Sequence, residues 1–135
     1  MFQIGDLTCA VPVEAVREII PAQPATRIPG APVAVDGLVN VRGALLTVVD
    51  AHALLGRAIQ PGTEGSILVI EVGGKAVGFE VGEVLDLLEL SPDALESSAA
   101  LPGIDPRLAK AVGRQGARVF VVLDTDALLA PLISG

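Results

Sequence analysis

The chain has no tryptophan, no tyrosine and only three phenylalanines among its 135 residues. Single-stranded nucleic acids bind largely by stacking their bases on aromatic side chains, and this sequence offers almost none. Cations are scarce as well. Nine lysines and arginines face sixteen acids, for a formal net charge of −7. Only Lys75 and Lys110 are lysines. A phosphate-binding surface needs clustered cations to displace counterions, and an anionic membrane surface asks the same. Neither partner is expected. The single cysteine, Cys9, has no partner for an internal disulfide, and its neighbours Ala10 and Val11 mark it as a buried thiol. No apolar run approaches the roughly 18–20 residues of a spanning helix; the longest are Ala44–Val49 and Val119–Leu123. No basic segment followed by an apolar one opens the chain, so no secretory leader is visible. These absences point to a cytoplasmic protein without nucleic-acid binding or membrane insertion.

Hydrophobic residues are nonetheless abundant, at 51%, and mean hydropathy is +0.64. They fall in short β-branched runs, the signature of buried strands. Phe2–Ile4 and Leu7–Val13 flank Gly5-Asp6 and read as a hairpin. Glu14–Ile20 fits a short helix or a strand. Pro21, Pro24, Pro29 and Pro32 then hold the chain out of helix. Gly37–Arg42 and Ala44–Val49 are a strand pair bent at Gly43, and Asp50 is placed to cap a helix over Ala51–Leu55 that stops at Gly56. After a linker at Arg57–Gly65 comes a strong hairpin, Ser66–Val72 and Lys75–Val81 around Gly73-Gly74. Glu83–Leu90 and a polar stretch to Pro106 follow. Leu108–Gly113 and Arg118–Leu123 form another strand pair, and Asp124 or Thr125 caps a last helix, Asp126–Ala130, before Pro131.

The two halves repeat one order: hairpin, connector, strand, glycine bend, apolar strand, Asp-capped helix. A shift of 68 carries Gly5 onto Gly73, Val13 onto Val81 and Val16 onto Val84. Shifts of 73–74 carry Gly43 onto Gly116 and Asp50 onto Asp124. This pattern implies an internal duplication and two small antiparallel barrels packed together.

Residues with chemical potential are few. His52 is the one histidine and Asp50 lies two residues away. Asp124 occupies the equivalent place without a histidine, so Asp50 is read as a cap and His52 as a surface helix residue. One His, one Cys and scattered carboxylates give no metal cluster. Gly73-Gly74-Lys75 lacks the spacing of a phosphate loop and reads as a turn. No Gly-x-Ser-x-Gly elbow is present. Neither cofactor nor metal nor catalytic residue is assigned. The acids Glu80, Glu83, Asp86, Glu89, Asp93 and Glu96 make a loose negative stretch, read as a solvated face. Arg42, beside a bend between apolar strands, projects a planar five-donor group from a rigid position. It suits pairing with a carboxylate such as Glu18, or anchoring a partner.

Several runs together resemble the CheW family of chemotaxis coupling proteins. They are Ala10–Val13, Val16–Ile19, Thr26-Arg27-Ile28-Pro29, Gly37–Gly43, Val48–Asp50 and Leu54–Gly56, with Ile67–Val72, Val112-Gly113 and Val119–Asp124 in the second half. The resemblance covers essentially the whole chain. It implies a mostly β fold of two small five-stranded antiparallel β-barrel subdomains with short helices. Residues 1–135 would form one domain, with subdomains over about 14–65, completed by strands exchanged from the termini, and 66–135. It implies a non-catalytic adaptor joining the cytoplasmic tips of chemoreceptors to the regulatory domain of a CheA-type histidine kinase. It places Val16, Glu18, Asn40, Arg42 and Gly43 at the partner-binding surface. Two departures stand out. Where the family commonly has Val-Asp-Leu-Arg, this chain has Val49-Asp50-Ala51-His52, a change expected to weaken partner binding. The first strand begins almost at Met1, so it is expected to be truncated or frayed. Self-association through strand edges is compatible with the adaptor. The alternative is a small ligand-binding or enzymatic β-barrel outside chemotaxis, which would need a pocket of convergent polar groups.

Overall fold

The computed structural model describes residues 1–59, 62, 64–85, 95–96 and 109–133. The acidic positions Asp86, Glu89 and Asp93 therefore lie outside the described residues, as does most of the segment read as a polar loop. The strands are β1 (Phe2–Ile4), β2 (Leu7–Ala10), β3 (Val16–Pro21), β4 (Val35–Val41), β5 (Ala44–Asp50), β6 (Ser66–Val72), β7 (Lys75–Val81), β8 (Leu95–Glu96), β9 (Ala109–Gln115) and β10 (Arg118–Leu123). Two helices, α1 (Ala51–Leu55) and α2 (Thr125–Ile133), follow β5 and β10. The expectation of two five-stranded β units holds. One sheet runs β1-β2-β10-β9-β8 and the other β3-β6-β7-β5-β4.

Three details correct the expected architecture. Each sheet contains one parallel pairing, β2 with β10 and β5 with β7, so neither is wholly antiparallel. The ladders are open rather than closed barrels; in the second a backbone bridge runs from Thr26, beyond β3, to Leu38 on β4. The boundary at 65/66 falls inside the second sheet, because β6 and β7 pair with β3 and β5. The hairpin of each half thus pairs with the strand pair of the other half.

This exchange makes the duplication visible in the registers. Val121 faces Cys9 across the parallel pair of the first sheet, and Thr47 faces Val77 in the second. Phe120 faces Gly113 as Leu46 faces Val39. Phe2 bridges Val84 as Ile70 pairs with Val16. Glu96 pairs with Val112 as Thr26 bridges Leu38. The turns correct the sequence alignment by one residue. Ala44 pairs with Val41 and Arg118 with Gln115, so the equivalent of Gly116 is Arg42, not Gly43.

The main core lies between the sheets. Phe2, Ile4 and Cys9 from the first sheet and Leu68, Ile70, Val77 and Phe79 from the second are all buried there. The rings of Phe2 and Phe79 meet edge to face at 6.4 Å. β6 reads as a near-continuous apolar run because both its faces are covered. Leu68, Ile70 and Val72 face the main core, while Ile67 and Val69 join Val39, Leu46 and Val48 on the inner side of the second sheet. Gly78 lies under that inner cluster, where a Cβ would stand 3.0 Å from Ile67, Leu46 and Val48. The segment Glu14–Ile20, open to either reading, is a short 3-10 turn at Val13–Ala15 and then β3. The first strand is short but not frayed. Phe2 and Ile4 are buried, and Gln3 both donates to the Glu83 carbonyl and accepts from the Gly82 N–H.

α1 is capped as its sequence suggests. The Asp50 carboxylate accepts the His52 backbone N–H at 2.9 Å, and Gly56 closes the helix at φ 65°. Asp124 repeats the cap by accepting the Ala127 N–H at 3.2 Å. α2 runs past the expected stop at Pro131 to Ile133. Pro131 gives up the N–H that would reach the Ala127 carbonyl and crowds that carbonyl with its ring, and Leu128 and Leu129 nonetheless anchor the helix in the main core.

Candidate functional site

A groove of about 480 Å³ opens where the two sheets meet. Its walls are apolar: Phe2 from β1, Val11 and Val13 from the chain beyond β2, Val16 and Ile19 from β3, Leu68 from β6, and Val84 and Leu85 from the segment paired with β1. Val16 and Val84 are equivalent positions of the two halves, so the groove straddles the relation between them. Val13 and Ile19 are exposed, an apolar surface of the kind that marks an interaction site.

Glu18 lines the same groove and gives it a charged rim. Its carboxylate accepts a hydrogen bond from Arg42 Nη2. β3 and β4 are opposite edges of the second ladder, so this ion pair spans the gap left by the open sheet. The Arg42 side chain remains 74% exposed and Glu18 30%. Its worth to stability is therefore small, about 0–1 kcal/mol for an exposed pair.

The turn that carries Arg42 is unusual. Arg42 has φ 52° and is the one non-glycine residue with a left-handed backbone among the described residues. Its equivalent, Gly116, takes φ 60°. A left-handed conformation costs a residue bearing a Cβ about 1–2 kcal/mol, and the neighbouring Gly43 is left-handed too, at φ 85°. Asn40 supports the turn by accepting the Gly43 N–H at 2.9 Å through its side-chain oxygen. Arg42 thus combines a left-handed backbone with an exposed side chain.

Four of the five residues expected from the sequence, Glu18, Asn40, Arg42 and Gly43, thus form one bonded cluster, and Val16 lies beside it in the groove wall. Residue-by-residue reading missed Val11, Val13, Val84 and Leu85, which come from two segments far apart in the chain. The signal was there for Val84, which the shift of 68 sets equal to Val16.

The residues weighed for catalysis have structural tasks. His52 is a correction: it is 5% exposed rather than a surface residue. Its Nδ1 lies 3.1 Å from the Asp50 carboxylate that caps α1. Ala51 is fully buried, so the departure at Ala51-His52 lies in the interior. Cys9 is buried, and burial pushes its thiol up to about 12, against a smaller opposing effect of Arg57. Burial of this kind favours the protonated, unreactive thiol. Among the described residues no group of three His, Cys, Asp or Glu side chains is placed to hold a metal. No described helix is long and apolar enough to cross a membrane.

Comparison with known proteins agrees with this anatomy. The CheW-like domain family matches residues 1–131. A Rhizobium meliloti chemotaxis protein CheW is 43% identical over 91 residues, covering 67% of this chain and 59% of that protein. A probable chemotaxis protein CheW from Rhizobium etli is 33% identical over 124 residues, 91% of this chain and 76% of the relative. Among solved structures, the scaffolding protein TtCheW from Thermoanaerobacter tengcongensis superposes with a TM-score of 0.84 at 19% identity, over 94% of this chain and 83% of that one.

Proposed function

The chain belongs to the CheW-like domain family, and from that premise we propose that it is a non-catalytic scaffold of a chemotaxis-type signalling system. It couples the cytoplasmic tips of chemoreceptors to the regulatory domain of a CheA-type histidine kinase. Its place of action is the cytoplasm, at membrane-associated receptor arrays.

The observation that carries this reading is the strained, exposed Arg42 held by Glu18 at the rim of an apolar groove. A helical receptor tip laid into the groove would bury its apolar face against Val16, Val84 and Leu68. Amphipathic helices dock in this way, with apolar contacts supplying affinity. Arg42 and Glu18 would fix register through charge, while Asn40 and Gly43 hold the turn in shape. Val16, Glu18, Asn40, Arg42 and Gly43 are assigned to partner binding on these grounds.

The test is a titration of the purified chain with a receptor signalling-tip fragment and, separately, with the kinase regulatory domain. The wild-type chain is expected to bind both. Glu18→Lys is expected to weaken at least one of them tenfold or more. Absence of binding to either partner by the folded wild-type chain would overturn the reading.

A further inference from the structure

The apolar groove does not end at Val84. Two further hollows continue it along the edge strand β3. The first, of about 620 Å³, shares Ile19 and Val84 with the groove and adds Ile20, Pro21, Glu64 and Glu83. The second, of about 410 Å³, shares Gly65 and Glu83 with the first and reaches Asp6 and Glu80. We propose that groove and hollows are one trough, whose occupant is a single amphipathic helix of the partner carrying a lysine or arginine beyond its apolar stripe, seated against Glu64 and Glu83. This rests on the groove being the partner site, and adds what that partner must carry and which way round it lies.

The backbone makes the trough continuous. β3 forms one wall, from Val16 through Ile19 to Pro21. Residues 82–85 form the other, with Leu85 at the Val16 end and Gly82 at the far end with Ala22. That second wall is tied to β1 at three points. Gln3 N–H donates to the Glu83 carbonyl at 2.8 Å, Gly82 N–H to the Gln3 carbonyl at 2.7 Å, and Leu85 N–H to the Met1 carbonyl at 2.8 Å. Beyond β3, Ala22 N–H donates to the Gly65 carbonyl at 3.1 Å, which holds the neighbour of Glu64 against the end of the strand. At the rise of a strand, Val16 to Pro21 spans about 16 Å, the length of about 11 residues of helix.

Charge changes along this length. At the Val16 end the one acid, Glu18, is held by Arg42. At the far end Asp6 is held by Arg57. Between them Glu64 and Glu83 are exposed, and among the described residues no ion pair includes either. No described lysine or arginine lines any part of the trough. The two carboxylates flank Ile19, Ile20 and Pro21, and Ile19 is 53% exposed, so the apolar surface runs on between them. A helix with its cation here gains both carboxylates, and an acidic helix is rejected by the same pair. The reversed helix would bury its cation among Phe2, Val11 and Leu68, unpaired and at a desolvation cost. The charge thus fixes orientation as well as partner.

The test is binding of a chemoreceptor signalling-tip fragment to the intact chain, with the fragment's lysines and arginines changed to glutamine one at a time. The double variant Glu64→Gln with Glu83→Gln is expected to weaken the unaltered fragment about tenfold at low salt, and less as salt rises. One cation of the fragment is expected to matter against the wild-type chain and not against the double variant. Asp126→Asn, at an exposed acid of α2 outside the trough, is expected to leave affinity unchanged. If Val84→Glu weakens the fragment while the double variant binds it as wild type does, the acidic end is overturned and the groove reading stands. An equal loss from Asp126→Asn would overturn the acidic end too, as an effect of general charge. A fragment that the folded wild-type chain does not bind overturns both.

Discussion

The two sheets share a plan down to their registers and differ in what they place on it. At the cross-strand pair inside each sheet, one half has Val39 against Leu46 and the other Gly113 against Phe120. The volumes trade off: a large ring fills the space that two aliphatic side chains fill elsewhere. At the hairpin tip one half has Gly116, relaxed at φ 60°, and the other Arg42, strained at φ 52°. The first difference preserves the fold by compensation. The second is held only by exposed contacts, the Asn40–Gly43 hydrogen bond and the Arg42–Glu18 ion pair, and it sits beside the groove. Where duplicated halves diverge without a packing reason, the divergent residue is the one whose binding role is worth testing.

The comparison can be broken most severely at Gly113. A Cβ at this position would stand 2.2 Å from Phe120 Cζ. Gly113→Val is expected to destabilise the chain by about 3 kcal/mol or more, at the upper end for overpacking, measured by urea unfolding. Phe120→Leu added to it recreates the pairing of the other half and is expected to restore much of the loss. Failure of the double variant to recover would show that the halves are not interchangeable at this pair.

A smaller effect is expected in the groove. Val16→Glu and Val84→Glu occupy equivalent positions on facing walls. Each is expected to weaken receptor-tip binding at least tenfold, about 1.4 kcal/mol, with the fold intact by circular dichroism. An effect at Val16 alone would confine the interface to one wall.

The tips sharpen the comparison further. Gly116→Arg places a side chain in the left-handed region and is expected to cost about 1–2 kcal/mol. Arg42→Gly relieves the same strain but removes the exposed ion pair, worth about 0–1 kcal/mol. Its unfolding free energy is expected to stay within about 1 kcal/mol of wild type. Equal losses from both substitutions would mean that Arg42 is needed for the fold.

Much of this was legible in the residues. Gly73-Gly74 between two β-branched runs marks the β6–β7 hairpin, and Asp50 with Gly56 marks both ends of α1, because turn and cap chemistry is local. Which hairpin joins which sheet was not legible in the strands; the family resemblance implied only that strands from the termini are exchanged. A strand's hydrophobic pattern says that it is buried but not which distant strand covers its edge. His52 was misplaced for a related reason: a five-residue helix shows too little periodicity to reveal which face is inward. Arg42 was singled out by type and neighbourhood, but its strain needed the register that sets it equal to Gly116. The bulge between Val35 and Gly37 left no sequence signal beyond Gly37, whose role depends on the approach of Thr26.

The most direct measurement of the central claim is binding by Arg42→Gly, paired with its thermal melt. The claim is that Arg42 serves a partner and not the fold. A melt close to wild type, with affinity for the receptor tip or the kinase regulatory domain reduced about 30-fold, is the expected result; that corresponds to the 2 kcal/mol of an interface hot spot. Wild-type affinity for both partners, in a variant that melts normally, would contradict it.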